Sequence, residues 1–268
     1  MGRIAVSGRW VVLLHGQPGS GADWKQVEAR LPHGVSVLAP DRPGYGASPQ
    51  RAGGFAAGAR AVVAEMDAQG IDRAVLVGHS YGGGVALATA RLAPERVEAL
   101  VLLASVGPGC LTWADWMLAA PLSGEFCSLV AWRLTPWFAR GVLAAARRVR
   151  GRPLGPDQAV NWQVWANSQH EHGRVWRSFL AEQRALVREL DGLSAALPSV
   201  AQPVLLVADP HDMIVPVRST RRLASALPDA SVEMLDGPGH HLPRRAAPRI
   251  AAAIADFLGT LDNRGAAA

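Results

Sequence analysis

Cysteine is nearly absent: Cys110 and Cys127 are the only two in 268 residues, too few for a disulfide framework and without metal-site spacing. Lysine is scarcer still, so the formal charge of +5 is carried by arginine. No run approaches the roughly 18 uninterrupted apolar residues of a membrane helix, and Met1 to Val6 lacks the charged stretch and apolar run of a signal peptide. The expectation is a cytoplasmic protein without stable membrane insertion. No basic-aromatic pattern marks a nucleic-acid module, so nucleic acid is not an expected partner. No G-x-G-x-x-G opens a helix after the first strand, and neither cofactor nor metal is implied. The densest basic cluster, Arg147, Arg148, Arg150 and Arg152, reads as a solvated helix end or loop, with steering of an anionic substrate as the alternative.

The composition, 49% hydrophobic and 18% charged, is that of a folded chain with a substantial core. Apolar runs of strand length alternate with helical stretches, as in a parallel sheet with crossover helices. Strands are expected at Trp10 to Leu14, Val35 to Ala39, Ala74 to Gly78 and Val97 to Ala104. Helices are expected at Ala22 to Leu31, Ala56 to Gln69 and Gly82 to Leu92. From Ser105 to Leu193 no strand run appears, yet seven of the nine tryptophans lie there: Trp113, Trp116, Trp132, Trp137, Trp162, Trp165 and Trp176. The rhythm returns with strands at Pro203 to Ala208 and Ser231 to Leu235, and helices at Arg218 to Leu227 and Pro248 to Leu261. The expected organisation is one α/β core, residues 1–104 and 194–262, interrupted by a helical insertion at 105–193 and followed by a frayed tail at 263–268. No internal repeat is present.

Gly78-His79-Ser80-Tyr81-Gly82 fits G-x-S-x-G between a strand and a helix, with no room for a loop. Such a junction forces a sharp turn that projects the Ser80 hydroxyl, and glycine on either side removes colliding Cβ atoms. The following helix aims its free N–H groups at developing negative charge. A serine hydroxyl is a poor nucleophile at neutral pH, so it needs a base, and the base needs an orienting acid. Among downstream histidines, His240 in Gly237-Pro238-Gly239-His240-His241 is placed to reach back over the sheet edge. His241 is its rival, while His170 and His172 fall in the insertion. Asp212 follows the strand ending near Ala208 and is the candidate acid; Asp209 is the fallback, with a turn carboxylate beside Pro210 as its other role.

His15-Gly16-Gln17-Pro18-Gly19 is a tight turn at the end of the first strand. Its expected work is to present the Gln17 N–H, beside that of Tyr81, to a substrate carbonyl oxygen. His15 reads as a residue bonding within the turn. The loop Asp41 to Ser48 reads as scaffolding, with direct substrate contact as the alternative.

Together, His15-Gly16, the Asp41 to Ser48 loop, the Ser80 turn, Asp212 with Val215-Pro216, and Gly239-His240 resemble the α/β-hydrolase superfamily. The closer likeness is to its capped branch of esterases, meta-cleavage-product C–C hydrolases, epoxide hydrolases, haloalkane dehalogenases and haloperoxidase-like members. The resemblance implies a mostly parallel central sheet with helices on both faces and a helical cap. Two departures stand out. Only Met1 to Arg9 precedes the His-Gly strand, so the first strand of the usual eight is expected to be missing and the second short. Asp209 also stands where the branch commonly has glycine. The branch's epoxide hydrolases and dehalogenases use an aspartate nucleophile, so Ser80 argues against both activities.

The activity this implies is hydrolysis of a carboxylic ester through an acyl-enzyme, on a small-molecule substrate that is mainly apolar or aromatic. C–C bond hydrolysis of a diketone-type substrate is the alternative within enzymes. A non-catalytic ligand-binding protein on the same fold is the alternative outside them. The tryptophans of the insertion either line the substrate pocket or form the insertion's own core. Trp132, Leu134, Trp137 and Phe138, near Arg133 and Arg140, also have the make-up of a membrane-surface helix. A homo-oligomer is left open.

Overall fold

A computed structural model describes residues 8–151 and 174–266, apart from the side chains of 128, 131–133, 135–136 and 265–266. Six strands, β1 (Arg9–Leu14), β2 (Val35–Leu38), β3 (Ala74–His79), β4 (Val97–Leu103), β5 (Val204–Ala208) and β6 (Ala230–Met234), form one sheet in the order β2-β1-β3-β4-β5-β6. Every pairing between neighbours is parallel. The apolar runs explain this arrangement, because β3, β4 and β5 are buried along nearly their whole length, as strands covered on both faces must be.

Side chains alternate faces along a strand, and the two faces make two cores. Val12, Leu14, Leu76, Leu100, Leu102 and Leu206 point to one side. There they meet α2 (Phe55–Ala68), α3 (Tyr81–Leu92), α6 (Val175–Ala195) and α7 (Val217–Ala226). Val11, Leu13, Val75, Val77, Val101 and Val207 point to the other side, against α1 (Lys25–Glu28), α8 (Leu242–Arg245) and α9 (Ala247–Ala266). The chain runs from β1 outward to β2, then returns to β3 on the opposite side of β1. That reversal opens a crevice at the carboxyl ends of β1 and β3, which is where such sheets bind ligands.

Between β4 and β5 the described chain is helical, with α4 (Trp113–Ala119), α5 (Ser123–Arg150) and α6. Thr112 and Asp115 form a capping box at the start of α4, and Gly151 in the left-handed region ends α5. Arg147, Arg148 and Arg150 lie exposed in the last turn of α5, where positive charge complements the helix dipole; Arg152 is outside the described residues. Trp113, Trp116 and Trp137 are 77%, 57% and 74% exposed, so these three do not form an interior of the insertion. Trp162, Trp165 and the side chain of Trp132 lie outside the described residues. Among the described residues no helix is long and apolar enough to cross a membrane.

Two boundaries differ from the sequence expectation. The helix expected over Ala22 to Leu31 is a 3-10 turn, Gly21–Trp24, followed by the single turn α1. Ser20 and Asp23 cap its start, and the chain unwinds ahead of Pro32, which disfavours helical geometry in the preceding residue. At the other end α9 continues through Ala266, past Asn263 where fraying was expected. Arg264, paired with Asp229, ties this last turn to the loop before β6. Residues 1–7, where the missing and shortened strands were expected, lie outside the described residues, as do 267 and 268.

Candidate active site

The turn from β3 into α3 is made at Ser80, whose φ of 54° and ψ of −119° lie where few side-chain-bearing residues sit. Its neighbours hold it there: the Ser80 N–H donates to the Leu103 carbonyl at 2.9 Å, and the Ser80 carbonyl accepts from Gly83 and Val106. Close packing requires glycine beside it. A Cβ on Gly78 would come within 2.5 Å of the Gly82 carbonyl oxygen, and one on Gly82 within 2.3 Å of the Leu14 carbonyl oxygen.

His240 sits in the loop between β6 and α8, turned inward by Gly237 and Gly239 at φ of 100° and 64°. Its Nε2 lies 3.0 Å from Ser80 Oγ and its Nδ1 2.8 Å from Asp212 Oδ2. A carboxylate only accepts, so Nδ1 carries the proton and Nε2 is left to accept from the Ser80 hydroxyl. Asp212 is held in turn, because its Oδ1 accepts the N–H groups of Ile214 at 2.7 Å and Val215 at 3.0 Å. All three side chains are almost entirely buried.

Asp209 does not reach His240. Its Oδ1 accepts the His211 N–H at 2.7 Å and its Oδ2 the Gly239 N–H at 2.6 Å, which ties the aspartate loop to the histidine loop. Burial pushes the Asp209 carboxyl up, but the N–H groups of His211, Gly239 and Gly237 outweigh it and hold the group below its ordinary value. His241 packs edge-on against His240, 5.5 Å between ring centres, and burial together with the His240 charge drives its pKa down to about 3. His79, the residue before the serine, donates from Nε2 to the His240 carbonyl at 2.8 Å. Burial holds this imidazole, and that of His15, well below the ordinary value. His170 and His172 are outside the described residues.

The His15 to Gly19 turn lies against the serine: a Cβ on Gly16 would stand 3.1 Å from Ser80 Cβ. Neither the Gln17 nor the Tyr81 N–H is taken by another group among the described residues. The Tyr81 ring stacks on Phe55 at 4.8 Å, and its hydroxyl donates to the Gly53 carbonyl at 3.2 Å. His15 donates from Nδ1 to the Gly16 carbonyl at 2.8 Å and accepts the Arg42 N–H on Nε2 at 2.9 Å, which assigns its tautomer. In the Asp41 to Ser48 loop, Asp41 accepts from Gly21 and Ala47, a scaffolding role.

Two contacts from α6 reach these loops, one to the His15 to Gly19 turn and one to the Asp41 to Ser48 loop, and nothing in the sequence pointed to them. The Gln17 side chain donates to Gln183 at 2.8 Å, and Gln183 donates to Asp115 of α4 at 2.8 Å. Arg42 pairs with Glu182, both 2% exposed, and Tyr45 donates to Glu182 at 2.8 Å. Burial opposes the Arg42 charge, yet the adjacent Glu182 keeps the guanidinium above its ordinary value. Burial also pushes the Glu182 carboxyl up, against the pull of Arg42 and Tyr45. One group among the described residues, Asp209, His211 and Asp236, has its ligand atoms close enough for a metal. The Asp209 oxygens in it already accept backbone N–H groups.

The chain belongs to the alpha/beta hydrolase fold family, whose model matches residues 9–243. Over 232 residues it is 31% identical to pimeloyl-[acyl-carrier protein] methyl ester esterase of Aromatoleum aromaticum, covering 86% of this chain and 90% of that protein. Over 261 residues it is 29% identical to 2-hydroxymuconate semialdehyde hydrolase of a Pseudomonas species, covering 94% of this chain and 87% of that protein. Among solved structures, a thermophilic esterase from Thermogutta terrifontis shares the fold at a TM-score of 0.73 and 22% identity, over 95% of this chain and 91% of that one.

Proposed function

We propose that this protein hydrolyses carboxylic esters of mainly apolar or aromatic small molecules through an acyl-enzyme on Ser80. The observation that carries the reading is the unbroken hydrogen-bond chain from Ser80 Oγ through His240 to Asp212. His240 takes the hydroxyl proton as Oγ attacks the carbonyl carbon, and Asp212 stabilises the imidazolium that results. The carbonyl electron pair moves onto oxygen, where the N–H groups of Gln17 and Tyr81 hold it; each such donor is typically worth about 100- to 1,000-fold in turnover. Collapse expels the alcohol, protonated by His240. A water deprotonated by His240 then attacks the acyl-enzyme, releases the acid and restores Ser80.

Residues 105–193 act as a lid over this centre in the same reading. Its support is that Glu182 and Gln183 of α6 meet Arg42 and Gln17 beside Ser80. Apolar surface is offered nearby by exposed Met213, next to Asp212, and by Trp113 and Trp116 on α4, the helix whose Asp115 binds Gln183. Similarity to a relative named as a semialdehyde hydrolase favours C–C bond cleavage as the second reading.

Treatment with a fluorophosphonate followed by peptide mapping is expected to label Ser80, and labelling elsewhere or none at all overturns the assignment. Short p-nitrophenyl esters are expected to be turned over by the wild type and not by Ser80→Ala. Tight retention of a ligand without turnover would make the protein a binding protein instead.

A further inference from the structure

The Arg42 guanidinium engages two backbone carbonyls and one carboxylate at this end of the sheet. Its Nε donates to the His15 carbonyl at 2.7 Å and one terminal nitrogen to the Gly16 carbonyl at 2.9 Å, while the guanidinium pairs with Glu182. The Gly16 carbonyl therefore accepts two donors, His15 Nδ1 and Arg42, both nearly fully buried. That carbonyl belongs to the same peptide unit as the Gln17 N–H. Across a trans peptide the C=O and N–H point in opposite directions, so fixing the carbonyl on one side fixes the N–H on the other. A positive charge on the oxygen also draws electrons through the amide, which makes its N–H a stronger donor.

We infer that Arg42 is a positioning residue for the oxyanion hole: it orients and polarises the Gly16–Gln17 peptide, and Glu182 of α6 holds it in place for that work. This rests on the reading of Ser80 as nucleophile and of the Gln17 N–H as oxyanion donor. Arg42 touches no reacting atom; its effect passes through one peptide group. The arrangement needs a guanidinium, because three acceptors, two carbonyls and a carboxylate, lie around it and the planar fork spans them together. Lysine keeps the charge and cannot bridge all three. Helix α6 thereby supports the oxyanion hole as well as covering the core, since Tyr45 and Arg42 together fix the Glu182 carboxylate.

The test compares wild type with Arg42→Lys, Arg42→Ala and the double variant Arg42→Met/Glu182→Leu, which leaves no unpaired buried charge should the single variants fail to fold. Circular dichroism establishes folding. The expected result is a fall in kcat of about 10- to 100-fold, less than the loss of a whole donor, with KM for a p-nitrophenyl ester changed by no more than about threefold. Affinity for a trifluoromethyl ketone, which adds to the serine as a tetrahedral oxyanion, is expected to fall by the same factor as kcat. Millimolar guanidinium chloride is expected to restore part of the kcat of Arg42→Ala and none of that of Ser80→Ala. Folded variants with wild-type kcat overturn the inference alone, as does a kcat loss that leaves the ketone affinity unchanged. A wild type that neither reacts with fluorophosphonate nor cleaves esters overturns the nucleophile reading first, and this inference with it.

Discussion

Asp209 and Asp212 stand in one loop and do different work, because each spends its oxygens on different partners. Asp212 gives one oxygen to the N–H groups of Ile214 and Val215 and the other to His240. In Asp212→Asn the side-chain amide nitrogen would face Nδ1, forcing the imidazole into the tautomer with its proton on Nε2, toward Ser80. We expect kcat for an ester to fall about 1,000- to 10,000-fold with thermal stability little changed, measured by steady-state kinetics and calorimetry. Asp209 gives both oxygens to backbone N–H groups, one in its own loop and one at Gly239, beside the histidine. Asp209→Ala leaves these two part-buried donors without their acceptor. The expected loss is roughly 1–3 kcal/mol in total, because water reaches them in part, read from urea unfolding, with kcat lowered about 10-fold as His240 loosens. The Ser, Asp and His candidates could be named in sequence from their positions after strands. What separated Asp212 from Asp209, and His240 from His241, was the direction of each side chain out of its loop. Neighbouring residues in a loop share a position in the chain but not a direction in space.

At the scale of elements, the turn from β3 into α3 is held by contact more than by propensity. α3 opens Tyr81-Gly82-Gly83-Gly84, a poor helix start by propensity, and every residue from Tyr81 to Ala90 is buried. Each glycine faces a neighbour too close for a side chain: Gly82 the β1 backbone at Leu14, Gly83 the Ser105 side chain after β4, and Gly84 the Phe55 ring of α2 and Val106. Gly82→Ala is expected to destabilise the fold by about 3 kcal/mol, the upper end for overpacking, because the atoms it would meet are the backbone carbonyls of Leu14 and His15. Such a loss corresponds to roughly 6–12 °C in Tm, which differential scanning calorimetry reads directly. The strands were legible to within about a residue because burial on both faces leaves a continuous apolar run in the sequence, whereas the individual helices of the insertion were not bounded and the closing helix runs five residues past its expected end at Leu261. The stretch Ala22 to Leu31 was misread as one helix since its hydrophobic spacing is helical over too few turns to outweigh the following proline. α6 carries Glu182 and Gln183 to the site in a stretch whose sequence gives no sign of it, and a buried ion pair between residues far apart in the chain leaves no local pattern.

At the scale of the whole molecule, three histidines of the described residues, His15, His79 and His241, are held as neutral rings, while His33 and His211 are exposed. Burial holds His15 and His79 well below the ordinary imidazole value and His241 down at about 3. In the unfolded chain these rings take up protons as the pH falls below about 6.5, while in the folded chain they do so only much lower, so the unfolded state binds more protons. Stability is therefore expected to be flat above that pH and to fall steeply beneath it. Three protons correspond to about 4 kcal/mol per pH unit, of which the raised carboxyl of Glu182 offsets at most about one proton's share. Urea midpoints measured from pH 8 to pH 4 check the sign; a midpoint that rises on acidification contradicts it. By itself the sequence determined the alternating α/β architecture, the strained serine turn and the set of residues able to serve as nucleophile, base and acid. These follow from periodicity and from glycines at fixed offsets, both local properties of a chain. Only the tertiary structure decided which histidine meets Ser80 and which aspartate meets that histidine, and that Arg42, held by Glu182, fixes the Gly16–Gln17 peptide. Those outcomes depend on where separate loops and helices converge once the two cores have packed against the sheet, a matter of three-dimensional distance that spacing along the chain does not encode.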